Sequence, residues 1–426
     1  MSQPELLIGL IKMASGELNV TVNNELVGHL IDGGGDDWRF IYQTPAARRR
    51  ISVNFPIRES AYAGKDVLAF FRNALPSGDT RRAAVSQLGF SSGNDFALIG
   101  ALCNETFGAL RISTADYDGM VAGELRELNE TELRHAIAAL AMNPLLTKVD
   151  GYRNSLPGEN SKLAVRTDNN TVYLPLGSEL STHIIKPPRP ERRESLENES
   201  FCMSLARELG LPVAAVELRR TAANYLLVER IDRRIDGSNV QQIHAEDFCQ
   251  LALLPPENVF EREGGIAAHE CVGLLRDYSV QPGYDIKLFL KWLIFNYLIG
   301  NGHATAKQLS LQHTQNGPKL APFYGLSSTH IYASLNGNLG MGIGAEDRPD
   351  WIIAGRWRAF AERAGVAPRY VFELLEEMAA EIILVAPRVE ALWQKENGYA
   401  EVTGIIRRLT ERRARQIAVG LQAEVA

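Results

Sequence analysis

The sequence predicts an α+β protein in two lobes, a β-rich N-terminal lobe with an extra N-terminal subdomain and an all-α C-terminal lobe. Three observations predict it. Short alternating apolar–polar runs, punctuated by Asn and Gly turns, recur as far as about residue 243. From His244 onward helical spacing dominates. The most apolar segment, Ile286 to Ile299, is apolar on nearly every side, as a helix buried in a large core would be. The expected divisions are 1–115 for the subdomain, 116–240 for the rest of the β-rich lobe and 241–426 for the helical lobe.

Composition excludes several classes. The 426 residues are 45% hydrophobic and 23% charged, an ordinary globular balance. The net charge of −6, from 45 basic and 51 acidic residues, argues against a surface built wholly for nucleic acid. Cys103, Cys202, Cys249 and Cys271 form no CxxC pair and sit in apolar contexts, so they read as buried free thiols in a reducing compartment. The first residues lack the basic start of a secretory leader, and no run is long and apolar enough to span a membrane. A cytoplasmic location is expected.

In chain order, Leu18–Val22 and Leu26–Ile31 flank an Asn23-Asn24 hairpin turn, and Trp38–Tyr42 and Ile51–Pro56 read as further strands. Helices are expected over Val67–Ala74 and Arg81–Leu88, the second stopped by Gly89, before a small strand at Gly108–Ile112. Residues 120–146 read as helical. Strands Leu163–Arg166 and Thr171–Leu174 surround a turn at Asp168–Asn170, and Thr182–Lys186 ends at two prolines. A helix over Asn198–Leu209 meets Gly210, then strands follow at Ala214–Arg219 and Tyr225–Arg230. The helical part runs through Phe248–Leu253, Ala267–Asp277, Ile286–Ile299, Arg356–Ala364, Pro368–Ile383, Arg388–Asn397 and Val402–Leu421.

Gly300 and Gly302 stop the buried helix, and a polar loop follows, N-G-H-A-T-A-K-Q-L-S-L at 301–311, leading to L-A-P-F-Y at 320–324. A loop held on a rigid support is where active sites are built. This one contains no acidic residue.

A β-rich lobe with a glycine loop, joined to a helical lobe, is the layout of a protein kinase. That chemistry needs backbone N–H groups and a lysine on the phosphates, an acid that orients the hydroxyl, and an Asn and an Asp on magnesium. Ser155–Lys162 offers a phosphate loop with Gly158, Lys186 a strand lysine, and Glu229-Arg230-Ile231 an adenine hinge. Each alone is a weak signal, since a glycine before a strand is more often a plain hairpin. Together and in order they resemble one family, the HipA serine/threonine kinase toxins of bacterial toxin–antitoxin systems. The residues that carry the resemblance are N-S-L-P-G-E-N-S-K-L-A-V at 154–165, S-T-H-I-I-K-P at 181–187 and N-E-S-F-C-M-S-L-A at 198–206. Y-L-L-V-E-R-I-D-R-R at 225–234, I-H-A-E-D-F-C-Q at 243–250, E-R-E-G-G at 261–265 and F-F-R-N-A-L-P-S-G at 70–78 add to it.

The resemblance implies roles. Ser155 matches the serine that family members autophosphorylate, which ejects the loop and switches the kinase off. Ser155, Gly158, Lys162, Lys186, Glu229, Arg230, Ile231 and Thr305 fall at ATP-contacting positions. It also implies a HipB-like helix-turn-helix antitoxin as partner, with DNA reached only through that partner and no membrane involved.

The catalytic loop departs from the family's N-x-D-x-H-x-K-N-x-S and Y-D-L. His303 stands at the catalytic aspartate, Thr305 at the histidine, Gln308 at the metal-binding asparagine and Gly325 at the metal-binding aspartate. Histidine's reference pKa lies near neutrality, so a residue of this type can act as a base, but His303 brings no negative charge. Gln308 is one methylene longer, a misplacement of about 1 Å in a reaction that depends on positioning. Gly325 offers no side-chain ligand, while magnesium usually takes one or two carboxylates. The expectation is therefore a HipA-like pseudokinase that acts by binding a partner, with phosphotransfer lost or strongly impaired, ATP possible, magnesium doubtful and no resident metal. The alternative is an active, ATP-dependent serine/threonine kinase toxin, autophosphorylating on Ser155, with rearranged catalytic residues.

Overall fold

The computed structural model describes residues 16–44, 47–114, 122–147, 149–221, 223–237 and 239–425, with side chains as far as Leu421. The readings of the first fifteen residues, of the boundary near 115 and of residues 120–121 lie outside these. In chain order the elements are β1 (Glu17–Val22), β2 (Glu25–Asp32), β3 (Trp38–Tyr42), β4 (Tyr62–Ala63), α1 (Lys65–Arg72), α2 (Gly78–Leu88), α3 (Asp95–Leu102), β5 (Leu110–Ser113), β6 (Glu124–Glu127) and α4 (Glu130–Ala139). Then come β7 (Leu163–Asp168), β8 (Thr171–Leu176), β9 (His183–Lys186), α5 (Ser195–Glu208), β10 (Val216–Arg220), β11 (Asn224–Glu229), β12 (Arg233–Asp236), β13 (Asn239–Gln242), β14 (Ala245–Asp247) and α6 (Phe248–Leu251). The chain ends with α7 (Ala268–Tyr278), α8 (Pro282–Ile299), β15 (Ser310–Thr314), β16 (Gly317–Leu320), α9 (Ala354–Arg363), α10 (Pro368–Asn397) and α11 (Glu401–Val425). Two compact units result, residues 1–187, 219–257 and 312–314 in one, and 188–218, 258–311 and 315–426 in the other.

The first unit holds two cores. An antiparallel sheet in the order β4-β3-β2-β1-β5 packs Val20, Leu30 and Phe40 against Phe70 and Phe71 of α1 and Leu98 of α3. Its first hairpin closes at Asn23-Asn24, both at positive φ (52° and 64°), the left-handed geometry that asparagine tolerates. In the second core, β11, β9, β7, β8 and β6 are hydrogen-bonded neighbours in that order, and Leu163, Val165, Ile185 and Leu227 pack under α4. The β7–β8 turn repeats the device at Asn169-Asn170, with Asp168 opposite Thr171.

The second unit is mainly helical. α8 begins with Pro282 in its first turn, buries nearly its whole circumference and ends at Gly300, whose φ of 72° supplies the left-handed cap. Asp285, fully buried at its start, accepts from Ser279 Oγ (2.6 Å), Gln281 Nε2 (2.9 Å) and Leu320 N (2.8 Å). The indole of Trp393 on α10 donates to Ser200 Oγ of α5 at 3.0 Å.

Some expectations do not survive. Ile51–Pro56 is no strand but a buried irregular loop, because side chains satisfy its backbone: Ile51 N donates to Tyr42 Oη (3.0 Å) and Val53 N to Glu246 Oε1 (3.2 Å). Residues 120–146 are not one helix, since β6 precedes α4 and an Asn129–Glu132 capping box fixes the helix start. Pro368–Ile383 and Arg388–Asn397 are one 30-residue helix that runs through Pro387. An interior proline costs about 3 kcal/mol, but Ile382, Ala386, Val389 and Trp393 continue one buried face across it.

Candidate functional site

The first unit carries the segments expected as phosphate loop, strand lysine and hinge. The loop at 154–159 is tied along the segment between α1 and α2. Ser155 is fully buried, donating its hydroxyl to Ala74 O (2.6 Å) and its N–H to Glu105 O (2.8 Å). Ser77 N reaches Gly158 O (3.2 Å), and Thr80 Oγ1 reaches Glu159 O (2.6 Å). Gly158 has a φ of 110°, which only glycine adopts without strain, and Lys162 Nζ donates to Pro157 O beside it. Lys186 ends β9 opposite Leu226 of β11, and Glu229 ends β11 opposite His183.

The hinge residues are held from within. Arg230 N donates to Thr182 O (2.9 Å), and the Ile231 carbonyl accepts from Gln312 Nε2 (2.6 Å). The Arg230 side chain is wholly buried, so it can reach no ligand; it is a structural cation. Its guanidinium spans Asp232 (2.6 and 3.0 Å), Glu105 Oε1 (3.2 Å), Ser181 Oγ (2.9 Å) and Thr106 O (2.7 Å). Arg233 joins it through Glu105 Oε1 (2.8 Å) and Asp232 Oδ2 (2.8 Å). Burial would raise both carboxyls, but Arg230 and Arg233 hold Glu105 and Asp232 below the usual carboxylate range. Glu105 also accepts from Asn154 Nδ2 (3.1 Å) and Ser181 N (3.0 Å). One buried carboxylate thus joins the loop, the start of the lysine strand and the hinge. Sequence reasoning missed Glu105, since its partners lie far away in sequence. The only available signal was an acid within the glycine-closed N-E-T-F-G run at 104–108.

The second unit carries the loop at 301–311, expected at the catalytic position. Asn301 Nδ2 donates to Asn296 Oδ1 on α8 (2.8 Å), His303 N to Asn301 Oδ1 (3.1 Å), and Gly302 N to Thr329 Oγ1 (2.6 Å). Gln308 folds back: its carboxamide oxygen accepts from Thr305 N and Thr305 Oγ1, both at 2.9 Å. Thr305 and Gln308 form the capping box of a short 3-10 turn at Ala306–Gln308. The T-A-K-Q run at 305–308 carries the local signal for this cap. Gly325 has a φ of 67°. As arranged, these side chains do not fit magnesium: both lone pairs of the Gln308 oxygen are taken and Gly325 has no side-chain ligand. Among the described residues no group of three or more His, Cys, Asp and Glu side chains could hold a metal ion. His313 sits on Glu246 (2.7 Å). Burial, then the charges of Arg192, Arg189 and Arg262, push His303 down to about 4, so it is neutral at physiological pH.

Known proteins give this arrangement its context. The HipA N-terminal domain model matches residues 18–113 and the HipA-like C-terminal domain model residues 154–385. The serine/threonine-protein kinase toxin HipA of Shewanella oneidensis is 30% identical over 362 residues, 80% of this chain and 82% of that protein. The chain belongs to the HipA family. This is the kinase family of toxin–antitoxin systems, and the α+β, two-lobed, protein-kinase-like fold is the HipA fold. The Y4mE protein of Sinorhizobium fredii is 35% identical over 360 residues, covering 82% of this chain and 86% of its own. A solved HipA of Shewanella oneidensis MR-1, in complex with HipB and its operator DNA, superposes with a TM-score of 0.84 at 24% identity, covering 95% of this chain and 98% of that one. No helix among the described residues is long and apolar enough to cross a membrane.

Proposed function

We propose that this HipA-family protein is a pseudokinase that acts by binding, with phosphotransfer lost or strongly impaired. The observation that carries the reading is the inward turn of Gln308. The extra methylene that spoils it as a metal ligand lets it cap its own loop, and the cap consumes the oxygen that an asparagine would give to magnesium. Gly325 and a neutral His303 complete the loss of negative charge that phosphoryl transfer draws on. The loop bearing Ser155 supports the same reading, since its hydroxyl is buried against Ala74 O rather than presented to a nucleotide. ATP binding through Lys162, Lys186 and the backbone of Glu229–Ile231 remains compatible with these positions, without magnesium. The partner is a HipB-like helix-turn-helix antitoxin, as in the HipA–HipB–operator complex that shares this fold, with DNA reached only through that partner.

The test is a single incubation with magnesium-ATP, read by intact mass and by peptide mapping of residues 150–165. No phosphate on Ser155 is expected, alongside co-elution with a HipB-like protein from the same source. Stoichiometric phosphorylation of Ser155 would overturn this reading in favour of an active toxin with rearranged catalysis.

A further inference from the structure

The second unit buries a cation that no carboxylate holds. Arg413 on α11 is 1% exposed. Its Nη1 donates to Tyr297 O at 2.6 Å, and its guanidinium carbon stands 5.4 Å from the centre of the Tyr297 ring. Nε and Nη2, the other edge of the same fork, are fully buried and meet no hydrogen-bond acceptor among the described residues. The guanidinium is pressed against the left-handed cap of α8. A Cβ on Gly300 would come within 3.0 Å of Nη1 and 2.8 Å of His330 Cβ.

The charge is only partly offset. Tyr297 O belongs to the last turn of α8, and a helix C-terminus carries about half a negative charge. Asp350, the acid whose charge reaches Arg413, is exposed on the 349–351 turn and accepts no hydrogen bond from it. Arg412, the exposed neighbour on α11, adds positive charge instead. Buried polar groups of folded proteins are nearly always hydrogen-bonded, and a buried charge is costly unless paired. Two more buried groups here lack partners. Trp357 packs edge-on to the Tyr297 ring, centroids 5.8 Å apart, and its indole N–H meets no acceptor among the described residues. Thr410, one turn before Arg413 on the same side of α11, is fully buried with its hydroxyl likewise unpartnered.

The unpartnered edge is chemically specific. An Nε–Nη2 pair presents two parallel N–H groups, the geometry that matches the two oxygens of one carboxylate. We propose that the Arg413 Nε–Nη2 edge binds a small carboxylate, both oxygens on one fork, at the end of α8 from which the 301–311 loop departs. The ligand is a molecule of acetate size and not an acidic side chain of another protein, because this edge lies wholly beneath the surface. The site uses none of the residues on which the pseudokinase reading rests.

The experiment titrates the full chain with sodium acetate at neutral pH and constant ionic strength, with chloride making up the balance, and reads the arginine Nε–H signals by NMR. In wild-type protein one Nε–H signal, missing from Arg413→Lys, moves saturably with acetate. Acetate affinity, measured by calorimetry, falls at least about tenfold in Arg413→Lys, which keeps the charge and loses the fork. An Arg413 signal that ignores acetate, or acetate bound equally well by Arg413→Lys, overturns the site. Should the lysine variant not fold, the wild-type protein still decides through its urea midpoint. A midpoint that rises with acetate over chloride supports the site, since a ligand of the folded state stabilises it. Identical midpoints in the two salts leave Arg413 as a cap of α8 alone and remove the proposal.

Discussion

The carboxamide oxygen of Gln308 accepts from both the backbone N–H and the hydroxyl of Thr305, each at 2.9 Å. These two side chains form a local cap that stabilises the loop they stand in. Gln308→Asn shortens the reach and should lower stability by about 1 kcal/mol, the usual worth of a helix cap, seen as a lower urea midpoint.

On the proposed pseudokinase reading, placing the residues of the family pattern at 303, 308 and 325 should confer metal dependence. In the triple variant His303→Asp, Gln308→Asn, Gly325→Asp, magnesium-ATP should raise the melting temperature well above ATP alone, with no such difference in wild type. A ligand that binds only the folded state stabilises it by a logarithmic amount in its concentration. The Gly325 change carries its own penalty of about 1 kcal/mol, because its φ of 67° is left-handed. Equal shifts with and without magnesium in the triple variant would mean that the ligand geometry was lost elsewhere.

Glu105 should be the most sensitive carboxylate in the first unit. It is buried with Arg230 and Arg233 and holds Asn154 and Ser181 as well. Removing one partner from such a network leaves buried charge unpaired and costs about 3–5 kcal/mol. Glu105→Ala should fall in this range by chemical denaturation, and Glu105→Gln should still cost more than a surface change. Hydrogen exchange at residues 154–156 should accelerate in both, because the loop loses one of its anchors.

Ser155 should tolerate loss better than charge. Ser155→Ala removes one hydrogen bond to Ala74 O and should cost about 1 kcal/mol. Ser155→Asp would place a carboxylate in a fully buried position facing carbonyl oxygens, an arrangement that is met by moving the loop. Limited proteolysis should cut residues 153–160 faster in Ser155→Asp than in either Ser155→Ala or wild type. Equal cutting in all three would mean that the loop is not held by this contact.

What the sequence revealed follows the range of the interactions. Asn23-Asn24 and Asn169-Asn170 were legible as turns because the left-handed geometry is a property of two adjacent residues. The apolar run of α8 and its glycine stop were legible for the same reason. Ile51–Pro56 was not, because its backbone partner Glu246 lies in another stretch of chain. The unbroken α10 was hidden by Pro387, whose local cost is outweighed by packing further along the helix. In the site, the roles expected of residues 303, 308 and 325 rest on the resemblance to the family pattern and not on local sequence signals. The fold-back of Gln308 was encoded locally and overlooked. The Glu105 hub joins residues more than a hundred positions apart, and no local pattern announces it.

Acid should destabilise the protein in a window set by two histidines. His244 is buried, with Nε2 2.9 Å from Ile51 O and its ring 4.7 Å from that of His313; burial, then His313, push it down to about 4. Around it stand Glu246, which binds His313 and Ser52, and Arg50. His303 also lies at about 4. Both folded values are below the unfolded value near 6.5, so the unfolded chain takes up these protons first. Stability should thus be complete above about pH 6.5 and fall as pH drops toward 4, by up to roughly 3 kcal/mol for each histidine. The depressed carboxyl of Glu246 adds its own loss only below the usual glutamate range. Unfolding free energies between pH 7.5 and 4.5 check this. His244→Phe should remove about half of the slope and His303→Gln the other half, whereas a slope unchanged in both would place the sensitive groups elsewhere.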